Sequence, residues 1–419
     1  MSKSVVLLDT GKEWGGGTNS MLELLKRIDR NKYRFTCVFY HDYRPGSGAS
    51  LSEELQRLGI DFVLLPQTSL PKGAKLSKEV VRVLLFFSKR LRRLGVFWVD
   101  YYFRIRPDAA RIAELLRSRS AELLYLNNQP SSNLEGILAA RAAAIPVVQH
   151  ARSNATLNGV EVRIANQTLR KVICVSEGVK QRLVEQGIIA AKCVVVHNGI
   201  DGGLQPRLAP GEIRTRARVG DGLLIGTVGS LMRRKRIGDL IRVIAALVKE
   251  RRTAVKCLIV GAGPEQPRLS AEAKQYGVAD QIIFAGFQAD ALSYINALDI
   301  FVLPSEREGL PRTALEAMLM SKPVVASRVT GSSEVVVDGQ TGFLLPLGGI
   351  PEWVQALSQL ADDAALRKRM GEAGRRRVLE QFSIDKYVAG TRAVLDDVLA
   401  SSVRGEIPVE LARSGKDDG

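Results

Sequence analysis

Between Asp299 and Ala326 the chain reads DIFVLPSEREGLPRTALEAMLMSKPVVA, and this stretch narrows the possible folds more than any other. Two apolar runs, Asp299 to Pro304 and Pro323 to Ala326, read as buried strands, the first ending at a proline. Between them lie a polar, glycine-bearing turn and an apolar-periodic helix whose Leu315, Met318 and Leu319 face a core. Pro311 suits the first turn of that helix, where a missing N–H costs nothing. Strand, loop, helix, strand is a unit of a parallel sheet.

Two carboxylates carry the chemistry of the stretch. Glu308 stands in the loop, and Glu316 lies about one and a half turns into the helix. On one continuous helix this spacing would set them roughly 80° apart; with Glu308 outside the helix, the loop can fold it over the same crevice. The amides of Gly309, Leu310 and their neighbours form a helix N-terminus, which attracts phosphate. A carboxylate on ribose hydroxyls, a diphosphate at the helix end and a second carboxylate on a sugar hydroxyl would together read a nucleotide-sugar. Either glutamate alone is as readily explained by dipole compensation or by a solvated helix face.

A chain of 419 residues exceeds the size at which single cores usually divide, so two domains are expected. No run of about 18 uncharged apolar residues offers a transmembrane helix. The N-terminal apolar segment reads better as a first strand than as a secretory leader. Cys37, Cys174, Cys193 and Cys257 each lie in or beside an apolar run without C-x-x-C spacing, which suits buried thiols in a reducing cytosol. Three histidines without ligand spacing argue against a structural zinc site. The formal charge of +16 needs a partner, yet no zinc finger, RRM or helix-turn-helix signature points to nucleic acid.

Half of that charge sits in one segment. Lys72 to Arg106 holds ten basic and two acidic residues, interleaved with aromatic ones. Phe86, Phe87, Phe97 and Trp98 among Lys89, Arg90, Arg92 and Arg93 fit an amphipathic helix lying on an anionic membrane surface. The competing reading is a core helix whose long basic side chains reach out to water.

Elsewhere short apolar runs alternate with helical patterns in a Rossmann-like rhythm. Val5 to Leu8 leads into the glycine-rich turn Asp9 to Asn19, with a helix expected over Ser20 to Ile28. Such a loop brings backbone close to a phosphate or sugar, although no Walker lysine follows. The strand over Pro146 to Gln149 delivers His150 to the carboxyl edge of a sheet, where open α/β sheets bind ligands. Residues 202–222, rich in Gly, Pro and Arg, read as a linker. A second set of strands starts at Leu223, and its first loop, GSLMRRKR over Gly229 to Arg236, gathers cations suited to a diphosphate.

The string SEREGLPRTALEAMLMSKPVVAS closely resembles the signature of the retaining, GT-B-fold glycosyltransferases of family 4, with Glu308 and Glu316 as its E-x7-E pair. At lower density the resemblance runs over roughly residues 5 to 390. It implies an α/β GT-B fold: two Rossmann-like parallel-sheet domains facing an interdomain cleft. The expected division is an acceptor domain over 1–201, the linker 202–222, and a donor domain over 223–382. A helix over 383–402 then crosses back, and a polar tail fills 403–419.

The resemblance also implies roles. Glu308 orients donor-sugar hydroxyls, Glu316 holds the ribose, and Gly309, Leu310 and Pro311 face the diphosphate. Lys235 neutralises the leaving group, His150 lines the cleft near the donor sugar, and Gly16 and Gly17 match the first-domain loop near the phosphates and acceptor. Loops carrying Gly263 and Phe287 bracket the nucleobase. The chain departs from the family pattern at Ser230, where an arginine is usual, and at Arg236, where a second glycine is usual; Arg233 or Arg234 is then the substitute cation.

The implied activity is metal-independent transfer of a sugar from a nucleoside-diphosphate donor to a glycan or lipid-linked acceptor, with configuration retained and no cofactor. The partners are the nucleotide-sugar, the acceptor and the inner face of the cell membrane, which places the chain in the cytoplasm. The alternatives are a nucleotide-sugar epimerase of the same fold and a non-catalytic sugar-nucleotide sensor.

Overall fold

The computed structural model describes residues 2–11, 14–44, 48–220, 222–250 and 255–403. The polar tail from 404 onward lies outside the described residues, as do Lys12 and Glu13 of the first glycine-rich turn and Asp221 of the linker.

Seven strands build the first sheet: β1 (Lys3–Asp9), β2 (Tyr33–Phe39), β3 (Asp61–Leu64), β4 (Leu123–Asn127), β5 (Val147–Ala151), β6 (Lys171–Cys174) and β7 (Cys193–Val195). Six build the second: β8 (Leu223–Val228), β9 (Val255–Val260), β10 (Ile282–Gly286), β11 (Ile300–Leu303), β12 (Val324–Ser327) and β13 (Gly342–Leu345). Every pairing is parallel. The orders are β3-β2-β1-β4-β5-β6-β7 and β10-β9-β8-β11-β12-β13. Each order reverses once, between β1 and β4 and between β8 and β11, and such switch points open a crevice beyond the strand ends.

Parallel strands flanked by helices on both faces are apolar throughout, and β1 and β8 run almost wholly buried. Leu315, Met318 and Leu319 are fully buried, as the helical spacing requires. The four cysteines are buried and free.

Several elements differ from the sequence expectations. The first helix starts at Gly16, not Ser20, and runs to Arg27 with Gly15 as its cap. Glycines read as loop, yet here they supply a helix end without side chains in front of it. Pro311 caps the Arg312–Leu319 helix from outside its first turn. Within 202–222 the chain forms the helix Pro210–Arg216, pinned to the second sheet by the Arg214–Asp299 pair at 2.9 Å.

The basic segment is a hairpin rather than one helix. Lys72–Leu84 and Lys89–Asp100 pack against each other, stapled by Lys78 Nζ and Asp100 Oδ1 at 2.6 Å. Phe86 and Phe87 lie at the turn, 76% and 68% exposed. Phe97 instead points into the first-domain core at 9% exposure, so it is not part of the outward surface.

The last helix, Ile384–Val403, returns to the first domain. Its Tyr387, Val394, Leu395 and Val398 share one cluster with Val5, Leu7, Leu24 and Tyr125.

Candidate active site

The second sheet's switch point sets two loops side by side. One follows β8 and carries the cations; the other follows β11 and carries Glu308. Lys235 Nζ donates to Glu308 Oε1 at 2.6 Å, and both side chains are largely covered. The backbones join as well, the Glu306 amide donating to Arg234 O at 2.8 Å. Arg233 is exposed and Arg234 half-buried. Arg236 adopts φ +51°, the left-handed conformation a glycine takes without strain.

The loops after β9 and β10 adjoin the same cations. The Leu231 amide donates to Ala262 O at 2.9 Å, and the Gly261 amide donates to Gly286 O at 2.7 Å. Gly263 therefore packs on the Leu231 backbone, while Phe287, just past β10, is 39% exposed. The loops that carry Gly263, Phe287, Arg233, Arg234, Lys235 and Glu308 are thus tied together by backbone hydrogen bonds and one ion pair.

Glu316 lies deeper. Arg312 Nε donates to its Oε1 at 2.9 Å, with both side chains nearly covered. Burial pushes the Glu316 carboxyl above its ordinary range, Arg312 pulls it back, and Glu23 of the first helix adds to the push.

The first domain meets the central loop directly. Asn198 Nδ2 donates to Leu310 O at 3.4 Å. Gly309 lies so close to Arg152 O that a β-carbon there would overlap it. A β-carbon at Gly16 would touch Arg312, and one at Gly17 would touch Arg152, so both glycines face these arginines. Arg152 is a hub: it donates to Asn127 Oδ1 at 2.8 Å, Asn198 Oδ1 at 2.9 Å and the Tyr387 hydroxyl at 3.0 Å.

His150 sits within β5 rather than beyond its end, fully buried. Its Nδ1 pairs with the Tyr125 hydroxyl, and its Nε2 has no hydrogen-bond partner. Burial and nearby Arg152 hold its pKa well below 6.5, so the ring is neutral at pH 7.

Sequence reading assigned no role to Arg152, Asn198, Arg312, Glu334 or Tyr387. Glu334, on the short Thr330–Val335 helix, reaches across to the first domain. It accepts from the Glu177 and Gly178 amides at 2.9 and 2.8 Å, with His197 Nε2 at 3.1 Å. Burial pushes its carboxyl up, but His197 and these amides outweigh that and hold it below the usual range. Only Arg312 carried a signal, a cation set at a helix start.

The family of Glycosyl transferases group 1 matches residues 212–377, and Glycosyltransferase Family 4 matches residues 47–202. The chain belongs to the family 4-like GT-B glycosyltransferases. Its fold matches the crystal structure of Anabaena HepE in complex with UDP, at TM-score 0.75 and 21% identity, over 94% of this chain and 100% of that one. N-acetyl-alpha-D-glucosaminyl L-malate synthase of Bacillus anthracis is 33% identical over 173 residues, 41% of this chain and 45% of that protein. The capsular polysaccharide biosynthesis glycosyltransferase CapM of Staphylococcus aureus is 27% identical over 230 residues, 53% of this chain and 60% of that protein. The chain thus spans about half the length of the curated relatives it matches.

Proposed function

We propose that this glycosyltransferase moves a sugar from a nucleoside-diphosphate donor to a cell-surface glycan or lipid-linked acceptor, with retention of configuration. The observation that carries the reading is the Lys235–Glu308 pair at the second switch point. A cation and a carboxylate held together can separate onto two parts of one ligand, the cation to the diphosphate and the carboxylate to sugar hydroxyls. Glu316 Oε2 is left to accept from ribose. HepE was solved in complex with UDP-glucose as well as UDP, which favours a uridine donor here.

As the nucleoside diphosphate leaves, the sugar becomes oxocarbenium-like. Lys235, Arg234 and the Gly309 and Leu310 amides meet the charge growing on the leaving group. The acceptor attacks from the face the leaving group vacates, and the departing phosphate takes its proton. These cations do the work a metal would otherwise do, so transfer proceeds in EDTA.

The exposed hairpin suggests where the acceptor comes from. Leu76, Val83, Leu84, Phe86 and Phe87 form an outward apolar ridge flanked by lysines and arginines. We place it on the anionic cytoplasmic leaflet, where each basic residue contributes on the order of 1 kcal/mol. Among the described residues no helix is long and apolar enough to cross a membrane.

The test is thermal stability of the wild type and Glu316→Gln with UDP, GDP, ADP and CDP in EDTA, followed by turnover of the matching nucleotide-sugars. A nucleotide at a hundred times its Kd raises stability by about 2.7 kcal/mol. One nucleotide stabilising the wild type and not the variant, with release of that nucleoside diphosphate on turnover, is the expected result. Donor isomerisation without release would mean an epimerase. Binding without turnover would mean a sensor.

A further inference from the structure

Arg312 is placed against the ordinary rules of its helix. It stands at the first position of Arg312–Leu319, where the helix dipole opposes a cation. Its partner Glu316 lies four residues on, the less favourable order for a helical ion pair. It is also almost fully buried, which is costly for a guanidinium. A residue that breaks local rules in this way answers to something outside the helix.

The surroundings show what that is. Arg312 Nε holds Glu316 Oε1 at 2.9 Å, and Nη1 donates at 3.3 Å to Gly199 O, in the segment that ends the first domain. A β-carbon at Gly16 would lie 3.5 Å from the Arg312 Cβ, so the first helix starts beside it. Among the described residues no other group hydrogen-bonds the Glu316 carboxylate. The charges facing Glu316 are Arg312 on its own helix and Glu23 on the first helix, and Glu23 is itself paired to Lys26 and Arg27.

We infer that Arg312 is a positioning residue: it keeps Glu316 ionised and aimed at the ribose, and anchors that carboxylate to the peptide where the first domain ends. This rests on the reading of Glu316 as the ribose acceptor. Without the guanidinium, burial and Glu23 push the carboxyl further up, toward its protonated form, which is the poorer acceptor for ribose hydroxyls.

The experiment is isothermal titration of UDP into wild type, Arg312→Gln, Arg312→Lys and Glu316→Gln from about pH 6.5 to about pH 9, with circular dichroism to check folding. The wild type is expected to bind evenly across the range. Arg312→Gln is expected to bind about tenfold more weakly at the acid end and to recover as the pH rises, one unit of pKa being a factor of ten. Arg312→Lys, which restores the charge, is expected to flatten the profile again. An Arg312→Gln curve parallel to the wild type, while Glu316→Gln is weakened at every pH, would overturn the role of Arg312 and leave the ribose reading standing. Full affinity in Glu316→Gln would remove the ribose reading, and this inference with it. If Arg312→Gln does not fold, the equally uncharged Arg312→Met decides: a pH slope that Arg312→Lys lacks supports the inference, and a curve parallel to the wild type counts against it.

Discussion

At the residue scale the site is a set of charges whose positions were unevenly visible in the sequence. Lys235 and Glu308 were both read, because each stands in a polar loop directly after an apolar strand, and their contact at 2.6 Å brings together residues far apart in the chain. Arg312 and Arg152 were given no role, since a charged residue in a sequence reads as solvated until its burial is known. His150 was placed one step too far out: its strand continues through Ala151, and the imidazole turns inward to Tyr125. That burial has a pH consequence. The native ring binds a proton less readily than the unfolded one, whose pKa is about 6.5, so its contribution to stability is present above about pH 6.5 and lost below it. His150→Gln is expected to lose less stability than the wild type between about pH 7 and pH 5, as followed by urea denaturation at each pH. Equal acid sensitivity in the two proteins would show that other groups set the acid limb.

At the element scale the strands were the legible part, because a buried parallel strand has few ways of being written. Boundaries governed by glycine or by the lack of it were harder. The first helix starts among glycines that look like loop. The basic segment turns at Leu85 to Ser88 with neither glycine nor proline to mark the reversal, so the sequence reads as one helix where two are folded back on each other. Folding back is what sends Phe97 inward and leaves Phe86 and Phe87 at the tip. Burying a phenylalanine side chain is worth about 1.5–3 kcal/mol. Phe86→Ser with Phe87→Ser should therefore weaken sedimentation with anionic vesicles more than tenfold, and charge reversal at Lys89, Arg90, Arg92 and Arg93 should do so in a salt-dependent way. Phe97→Ala is expected to lower stability instead, by about 3 kcal/mol. Vesicle binding that ignores both surface variants would rule out membrane docking by this hairpin.

At the scale of the whole molecule, the two sheets meet through few but close contacts. The central loop rests on Arg152, and Glu334 caps a first-domain helix. Gly178 has no room for a side chain, since a β-carbon there would overlap the Thr330 methyl group. Gly178→Ala should penalise only the arrangement in which the domains touch, by about 1–3 kcal/mol. Nucleotide binding to the second domain should then survive while turnover falls about tenfold or more; unchanged steady-state turnover would mean that this contact is dispensable to the reaction. Two Rossmann-like halves could be read from the repeating strand pattern, but the contacts between them could not, because they join residues with no sequence periodicity in common. The returning helix has a further consequence, for how the protein is made. Tyr387, Val394, Leu395 and Val398 belong to the core built on β1, a strand synthesised nearly 400 residues before the last of them. That strand's domain therefore stays unfinished until the returning helix has been synthesised, and the second domain can fold first. Until that helix arrives, the nascent first domain is left exposed to chaperones and proteases.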